Sequence, residues 1–469
     1  MEAFLQPLQG LAEFEEIKKR CGANRGILNV SGCMESQKVH LMYGLSGLFP
    51  CHLILADDER NAKEIYEDYR FYDKNVYFYP AKDLLFFQAD IHGNLLIRQR
   101  MRVIRALLEQ EEVTVVTSID GCMDFLMPLE KIKSSLLHFK SDSVIDLDQL
   151  KEELVELGYE RTGQVELPGQ FSVRGGIIDI YSLTEDNPWR IELWDDEVDS
   201  IRSFDAESQR SLENVDEITI YPAAEKMDGE DMVSFLEYFP EEKTLVFLDE
   251  LNHLAENGEG VEEEYRQSRM HREEKGEANL PEQWLCGFQE LQKKLNRRNC
   301  VAVSALSPRR SGWKINEEFD LTVKSVDSYN SSFELLVKDL LQYKSQGYRI
   351  ALLSGSRTRA ERLAKDLSEE GLNAFYSQDM DRIISPGEIM VVYGHARRGF
   401  QYPLIKFAVM TETDIFGKEQ KKRKKKKKYS GNRIQDFAEL SIGDLVVHEK
   451  HGLGIYRGIE KVEVDRVVK

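Results

Sequence analysis

A multidomain α/β chain is what the residue pattern predicts, and three observations carry that reading. Residues 1–125 alternate short apolar runs with helical stretches, the pattern of a parallel sheet covered by helices. From about Asp142 short strands follow one another with period-two alternation, which marks a half-buried antiparallel sheet. Near residue 331 the alternation of strands and helices begins again. A length of 469 residues accommodates three or four domains of roughly 100–200 residues each.

Taken in order, Gly26-Ile27-Leu28-Asn29-Val30 is the first buried-type strand, followed by a helical stretch to about Leu48. His52-Leu53-Ile54-Leu55-Ala56, Val76-Tyr77-Phe78-Tyr79-Pro80 and Val113-Thr114-Val115-Val116-Thr117 repeat the pattern. Between the last two, a helix around Arg98 to Glu109 carries Met101, Ile104, Leu107 and Leu108 on one face. Residues 126–222 then hold a helix with Leu150, Leu154 and Leu157 that ends at Gly158, and a series of strands. These are Phe171–Val173, Gly176–Tyr181, Trp189–Trp194, Val198–Phe204 and Ile218–Tyr221. Trp189, Ile191 and Leu193 alternate with Arg190, Glu192 and Trp194, and Asp195-Asp196 supplies the turn. Residues 223–330 are acidic and helical, with a strand at Val301–Ser304 able to complete the first domain's sheet. Residues 331–417 hold a helix from Phe333 to Gln346 and strands near Ile350–Leu353, Ile389–Val392 and Phe407–Met410. Residues 418–440 read as a basic linker, and from residue 441 a glycine-punctuated β segment stops at Lys469 within a strand pattern. A small barrel does not close on so short a stretch.

The net charge of −20, from 63 basic and 83 acidic residues, makes most of the surface repel a duplex. Lys421 to Lys428 is the exception, eight consecutive basic residues with Arg423 the one Arg. It reads as a solvated tether, with a salt-sensitive nucleic-acid contact as the alternative. Six cysteines (Cys21, Cys33, Cys51, Cys122, Cys286, Cys300) lack pairing spacing, which predicts reduced thiols in a cytoplasmic protein. Neither a secretory signal nor an apolar run of about 18 residues is present, so no membrane contact is expected.

The first strand runs into Ser31-Gly32-Cys33-Met34-Glu35-Ser36-Gln37-Lys38-Val39, where a nucleotide-binding α/β domain places its phosphate loop. Such a loop needs glycines so that backbone N–H groups can face phosphates, a Lys for the β/γ-phosphates and a hydroxyl for Mg²⁺. Gly32 and Lys38 stand at the expected spacing, but Glu35, Gln37 and Val39 occupy the places of two glycines and the metal-binding hydroxyl. Glu35 would set a carboxylate beside a polyanion, a repulsion on the order of a few kcal/mol at an effective dielectric of about 20. Gln37 crowds the backbone approach, and Val39 offers a metal no oxygen. The loop is read as inactive, and no catalytic residue is assigned.

Other constellations are weaker. His448-Glu449-Lys450-His451 has one residue too few between its histidines for a zinc-peptidase helix and lies in a β context. No Cys/His metal spacing occurs. Asp195, Asp196, Asp199 and Asp205 read as a solvated acidic edge.

Residues Tyr159-Glu160-Arg161 through Phe171-Ser172-Val173-Arg174-Gly175-Gly176-Ile177-Ile178-Asp179-Ile180 resemble the UvrA-binding domain of the excision-repair protein UvrB. Arg190-Ile191-Glu192-Leu193-Trp194-Asp195-Asp196-Glu197-Val198-Asp199 continues the likeness. Phe204-Asp205 with Ser208-Gln209-Arg210-Ser211, and Thr411-Glu412-Thr413-Asp414-Ile415-Phe416-Gly417, are more similar to the transcription-repair coupling factors. Gly443–His448 with His451-Gly452-Leu453-Gly454 resembles the start of that family's RNA polymerase-interacting domain.

The resemblance implies a UvrB-like degenerate RecA-type domain at 1–125 and an inserted antiparallel α+β UvrA-binding domain at 126–222. It further implies a second part of the UvrB-like fold at 223–330, a small α/β domain at 331–417, and the start of an SH3/Tudor-like β barrel at 441–469. By the same resemblance, Arg161 and Arg174 match two of three arginines that contact UvrA, with Ser172 in the third place. Asp199 matches an acidic position near that surface, and Val462 an apolar contact with the RNA polymerase β subunit. The family recruits UvrA to polymerase stalled at lesions and displaces it with a double-stranded-DNA translocase. ATP and Mg²⁺ would serve that motor, which follows these domains, and no cofactor is expected in this segment. The rival readings are a UvrB-type damage-verifying ATPase and a transcription regulator acting through its barrel. The first requires an intact phosphate loop and an aromatic hairpin longer than Phe86-Phe87-Gln88-Ala89-Asp90.

Overall fold

The computed structural model describes residues 1–23, 25–82, 93–225, 231–275, 285–308 and 312–417. It also describes the strands Leu445–His448, Gly452–Ile455, Glu463–Val464 and Val467–Val468. It is a mixed α/β architecture with one large parallel sheet and several smaller sheets.

The large sheet has seven strands in the order Ile315–Asp320, Gly26–Ser31, Asn299–Val303, Thr244–Asp249, Cys51–Ala56, Val113–Ser118, Val76–Tyr79. Every neighbouring pair runs parallel. The central strands are buried along their length because helices cover both faces, which is why they read as unbroken apolar runs. The acidic segment after residue 223 therefore does more than add helices. Two of its strands, Thr244–Asp249 and Asn299–Val303, occupy the middle of the sheet, and a third forms its edge.

The second sheet has six strands in the order Ser211–Val215, Glu197–Phe204, Trp189–Trp194, Ile177–Ile180, Gln170–Arg174, Glu160–Arg161. Its ladders are antiparallel except the last, where Glu160–Arg161 runs parallel to Gln170–Arg174. The predicted alternation holds: Phe171, Ile178, Ile180, Ile191 and Ile201 are buried, packed with Leu150 and Leu154 of the helix Leu147–Glu156. Ile218–Tyr221 departs from expectation. Glu217–Ile220 pairs with Leu137–Lys140 as a separate ladder instead of joining the larger sheet.

The third sheet has the order Lys324–Ser325, Phe400–Tyr402, Phe407–Thr411, Arg349–Ser354, Glu388–Tyr393, Asn373–Tyr376. The helices Phe333–Ser345 and Arg357–Glu369 cover one face. Its other face shares a core with the first sheet: Leu353, Val392, Phe400 and Val409 join Leu41, Tyr72 and Val303 in one buried cluster. At the end of the chain, Leu445–His448 pairs antiparallel with Gly452–Ile455, and Glu463–Val464 with Val467–Val468.

Candidate functional site

Two places concentrate functional side chains: the degenerate phosphate loop and the outward face of the six-stranded sheet. The loop lies between the strand Gly26–Ser31 and the helix Glu35–Ser46. Gly32 has φ +76°, and a Cβ there would lie 2.2 Å from the Leu321 carbonyl oxygen, so only glycine fits. Its N–H donates to the Ala305 carbonyl at 3.3 Å, and the Cys33 N–H donates to the Ser304 carbonyl at 3.1 Å. These two N–H groups at the start of the loop are spent on the chain itself.

Lys38 is buried, and its Nζ donates to Asp249 Oδ1 at 2.7 Å and Glu250 Oε1 at 2.6 Å. Burial opposes the ammonium charge, but the two carboxylates outweigh it and hold the Lys38 pKa above the ordinary lysine value. Asp249 ends the strand Thr244–Asp249 and Glu250 follows it, where an active domain carries the acidic group that holds its magnesium. Here the lysine closes directly onto those acids. Val39 is fully buried and apolar. These residues do not fit a nucleotide and its metal.

The remaining substituted positions turn toward the third sheet. Glu35 lies 3.7 Å from Arg398 Nε. Ser36 Oγ donates to Asp68 Oδ2 at 2.7 Å and accepts from the Arg398 N–H at 3.1 Å. Arg397 donates to the same Asp68 carboxylate through its backbone N–H at 2.9 Å and its Nε at 3.1 Å. Gln37 Nε2 donates to the Tyr402 hydroxyl at 3.0 Å. That hydroxyl is 3.1 Å from His40 Nδ1, and His40 Nε2 is 2.9 Å from the Phe4 carbonyl. A carbonyl can only accept, so Nε2 carries the proton and Nδ1 accepts from Tyr402. The helix end that would face a nucleotide faces a loop of the third sheet.

On the six-stranded sheet the outward face is polar. Asp179 is buried and receives Arg190 twice, Nε at 2.6 Å and Nη2 at 2.9 Å, and Arg174 Nη2 at 2.7 Å. Arg190 also lies over the Phe204 ring at 4.2 Å, and Glu192 pairs with Arg202. Arg174 remains 47% exposed, so its fork is anchored on one side and open on the other. Ser172 is buried and donates to the Gly163 carbonyl at 3.0 Å. Arg161 is exposed on the edge strand and makes no ion pair among the described residues. Its register partner is Phe171, whose side chain goes to the core face, whereas Arg174 shares the outward face with Ser172. Arg161 is thus on the edge strand, on the opposite side from Arg174, and the two arginines do not form one contiguous patch. Asp199 is exposed at a bulge, where Glu192 pairs with Ser200 and Leu193 with Val198.

Val462, the basic run 421–428 and the segment Phe86–Asp90 lie outside the described residues, as do Glu449, Lys450 and His451. Sequence reasoning missed Asp249 and Glu250, although Thr244-Leu245-Val246-Phe247-Leu248 ending in two acids was a readable signal. It also missed Asp179 as the clamp for Arg174.

Comparison with known proteins adds three findings. Residues 137–225 match the UvrB interaction domain, and residues 440–469 match the CarD-like/TRCF RID domain. The chain is 29% identical to the transcription-repair-coupling factor of Bacillus subtilis (strain 168), over 94% of its own length and 44% of that protein. It is 26% identical to those of Staphylococcus aureus (strain USA300), over 83% of this chain, and Staphylococcus epidermidis, over 84%, covering 38% of each relative. The chain spans less than half the length of the curated relatives it matches.

Proposed function

We propose that this chain is the docking portion of a transcription-repair coupling factor, coupling transcription to nucleotide excision repair by recruiting UvrA. The observation that carries the reading is the outward face of the six-stranded sheet, which lies within the stretch similar to the UvrB interaction domain. There a buried Asp179 clamps Arg174 while leaving its guanidinium open to a partner. Arg174 on that face, and Arg161 on the edge strand beyond it, are the proposed UvrA contacts, with Asp199 at the same end of the sheet as Arg174. Arginine suits this because its planar fork tolerates desolvation and pairs bidentately with carboxylates.

The rest of the assignment follows the relatives. Residues 441–469 are proposed as the beginning of an SH3/Tudor-like barrel that meets the RNA polymerase β subunit, with Val462 as an apolar contact. Double-stranded DNA, ATP and Mg²⁺ belong to a motor in the longer proteins. The first sheet is proposed to be without nucleotide turnover, and the pairing of Lys38 with Asp249 and Glu250 supports this. Cytoplasmic residence is in keeping with six free thiols.

Isothermal titration of UvrA against this chain and its Arg161→Ala/Arg174→Ala variant tests the reading. The double variant is expected to bind more weakly by about 2 kcal/mol or more. Unchanged affinity would remove the site assignment.

A further inference from the structure

Trp194 is 80% exposed, yet it sits on a hairpin of the six-stranded sheet that is held at its turn. It pairs with Glu197 across the two-residue turn Asp195-Asp196, where Asp195 takes φ +61°. The hairpin is pinned from outside the sheet. The Ile145 N–H donates to the Asp196 carbonyl at 2.8 Å, the Asp142 N–H to Val198 at 3.0 Å, and the Val198 N–H to Ser143 at 2.9 Å. Strand alternation sends Leu193 to the core and Trp194 to the outward face with Arg190 and Glu192. The neighbouring strand turns there through Gly175-Gly176, directly after Arg174, and Leu193 N–H donates to the Gly176 carbonyl at 2.8 Å.

The charges around it differ from those further along the sheet. Asp179 and Glu192 are fully engaged by arginines. Asp195, Asp196, Glu197 and Asp199 are exposed, and none makes an ion pair among the described residues. An exposed aromatic side chain on a pinned hairpin therefore stands among carboxylates that make no ion pair among the described residues, on the face and at the end of the sheet that carry Arg174. Tryptophan and arginine are the residue types that dominate binding energy at protein interfaces, where a pre-organised anchor loses little entropy on burial.

We propose that Trp194 is the anchor of the UvrA contact. It enters an apolar recess on UvrA whose rim carries Lys or Arg side chains that pair with Asp195, Asp196 and Asp199. This rests on the docking function proposed above and names the side chain that dominates it. Isothermal titration of UvrA into the full chain tests it, with melting followed by circular dichroism. Trp194→Ala is expected to weaken binding by about 30-fold or more with an unchanged melting temperature. Asp195→Lys/Asp196→Lys is expected to weaken it by about tenfold or more through like-charge contact. Should Trp194→Ala fail to fold, the charge-reversal variant carries the test alone, and unchanged binding by it overturns the proposal. Trp194→Ala binding within about threefold of the parent, while Arg161→Ala/Arg174→Ala is weakened, overturns the anchor and leaves the docking function standing. A parent chain that does not bind UvrA overturns both.

Discussion

At the scale of single residues, Lys38 stands where a phosphate-loop lysine would stand, yet its ammonium is held by two carboxylates. Lys38 neutralises two acids inside the protein, so its removal is a stability event. Lys38→Met strands the buried Asp249 carboxylate, and breaking a buried pair in this way costs about 3–5 kcal/mol. Urea denaturation should show that loss, and calorimetry should show no micromolar ATP·Mg²⁺ binding in either the parent or the variant. His40 gives a second residue-scale prediction. Burial lowers its pKa from the usual 6.5 to about 4. Its depressed native value means the unfolded chain takes up the proton first. The stability it confers is complete above pH 6.5 and is lost as pH falls toward 4, a difference of about 3 kcal/mol. In His40→Gln the slope of unfolding free energy against pH should flatten in that window. An identical slope in parent and variant would show that His40 titrates normally.

At the scale of elements, buried Asp179 ties Arg174 on one strand of the six-stranded sheet to Arg190 on another. Asp179→Ala leaves Arg190, nearly buried, without its bidentate acceptor and frees Arg174 to wander. It should cost about 3 kcal/mol in denaturation and also weaken UvrA binding. Loss of stability with full affinity would mean that Arg174 needs no positioning. The elements also differ in how plainly the sequence announced them. Gly26–Ser31, Cys51–Ala56 and Val113–Ser118 were legible because strands buried on both faces must be apolar throughout. Trp189–Trp194 was legible because one face meets a core and the other meets water. Ile315–Asp320 escaped notice because it is an edge strand whose Asn316, Glu318 and Asp320 face solvent, so it reads as polar. Glu160–Arg161 is too short to carry any periodicity. Half of the degenerate site was visible in Gly32, Glu35, Gln37, Lys38 and Val39. The other half was hidden, because Lys38 and Asp249 are 211 positions apart and only the sheet order brings them together.

At the scale of the whole molecule, the first sheet is the hub. One of its faces shares a core with the six-stranded sheet and the other with the third sheet, so neither flanking sheet is a loosely tethered bead. The charges are distributed less evenly than the cores. The chain carries a net −20, yet eight of its 63 basic residues form one run at 421–428. A duplex gains affinity only where cations cluster enough to release its counterions, so that run is the place where DNA could gain a hold. If it contacts about six to eight phosphates, affinity should fall by roughly 10³–10⁴ between 50 and 200 mM salt. Fluorescence anisotropy with a labelled duplex should then show binding at low salt that disappears at physiological salt. Removing residues 418–469 should abolish the low-salt signal while leaving UvrA affinity unchanged, because the proposed docking face lies more than two hundred residues earlier on a separate sheet. Salt-resistant duplex binding in the shortened chain would instead place a cationic DNA site among the folded sheets, where the excess of carboxylates argues against one.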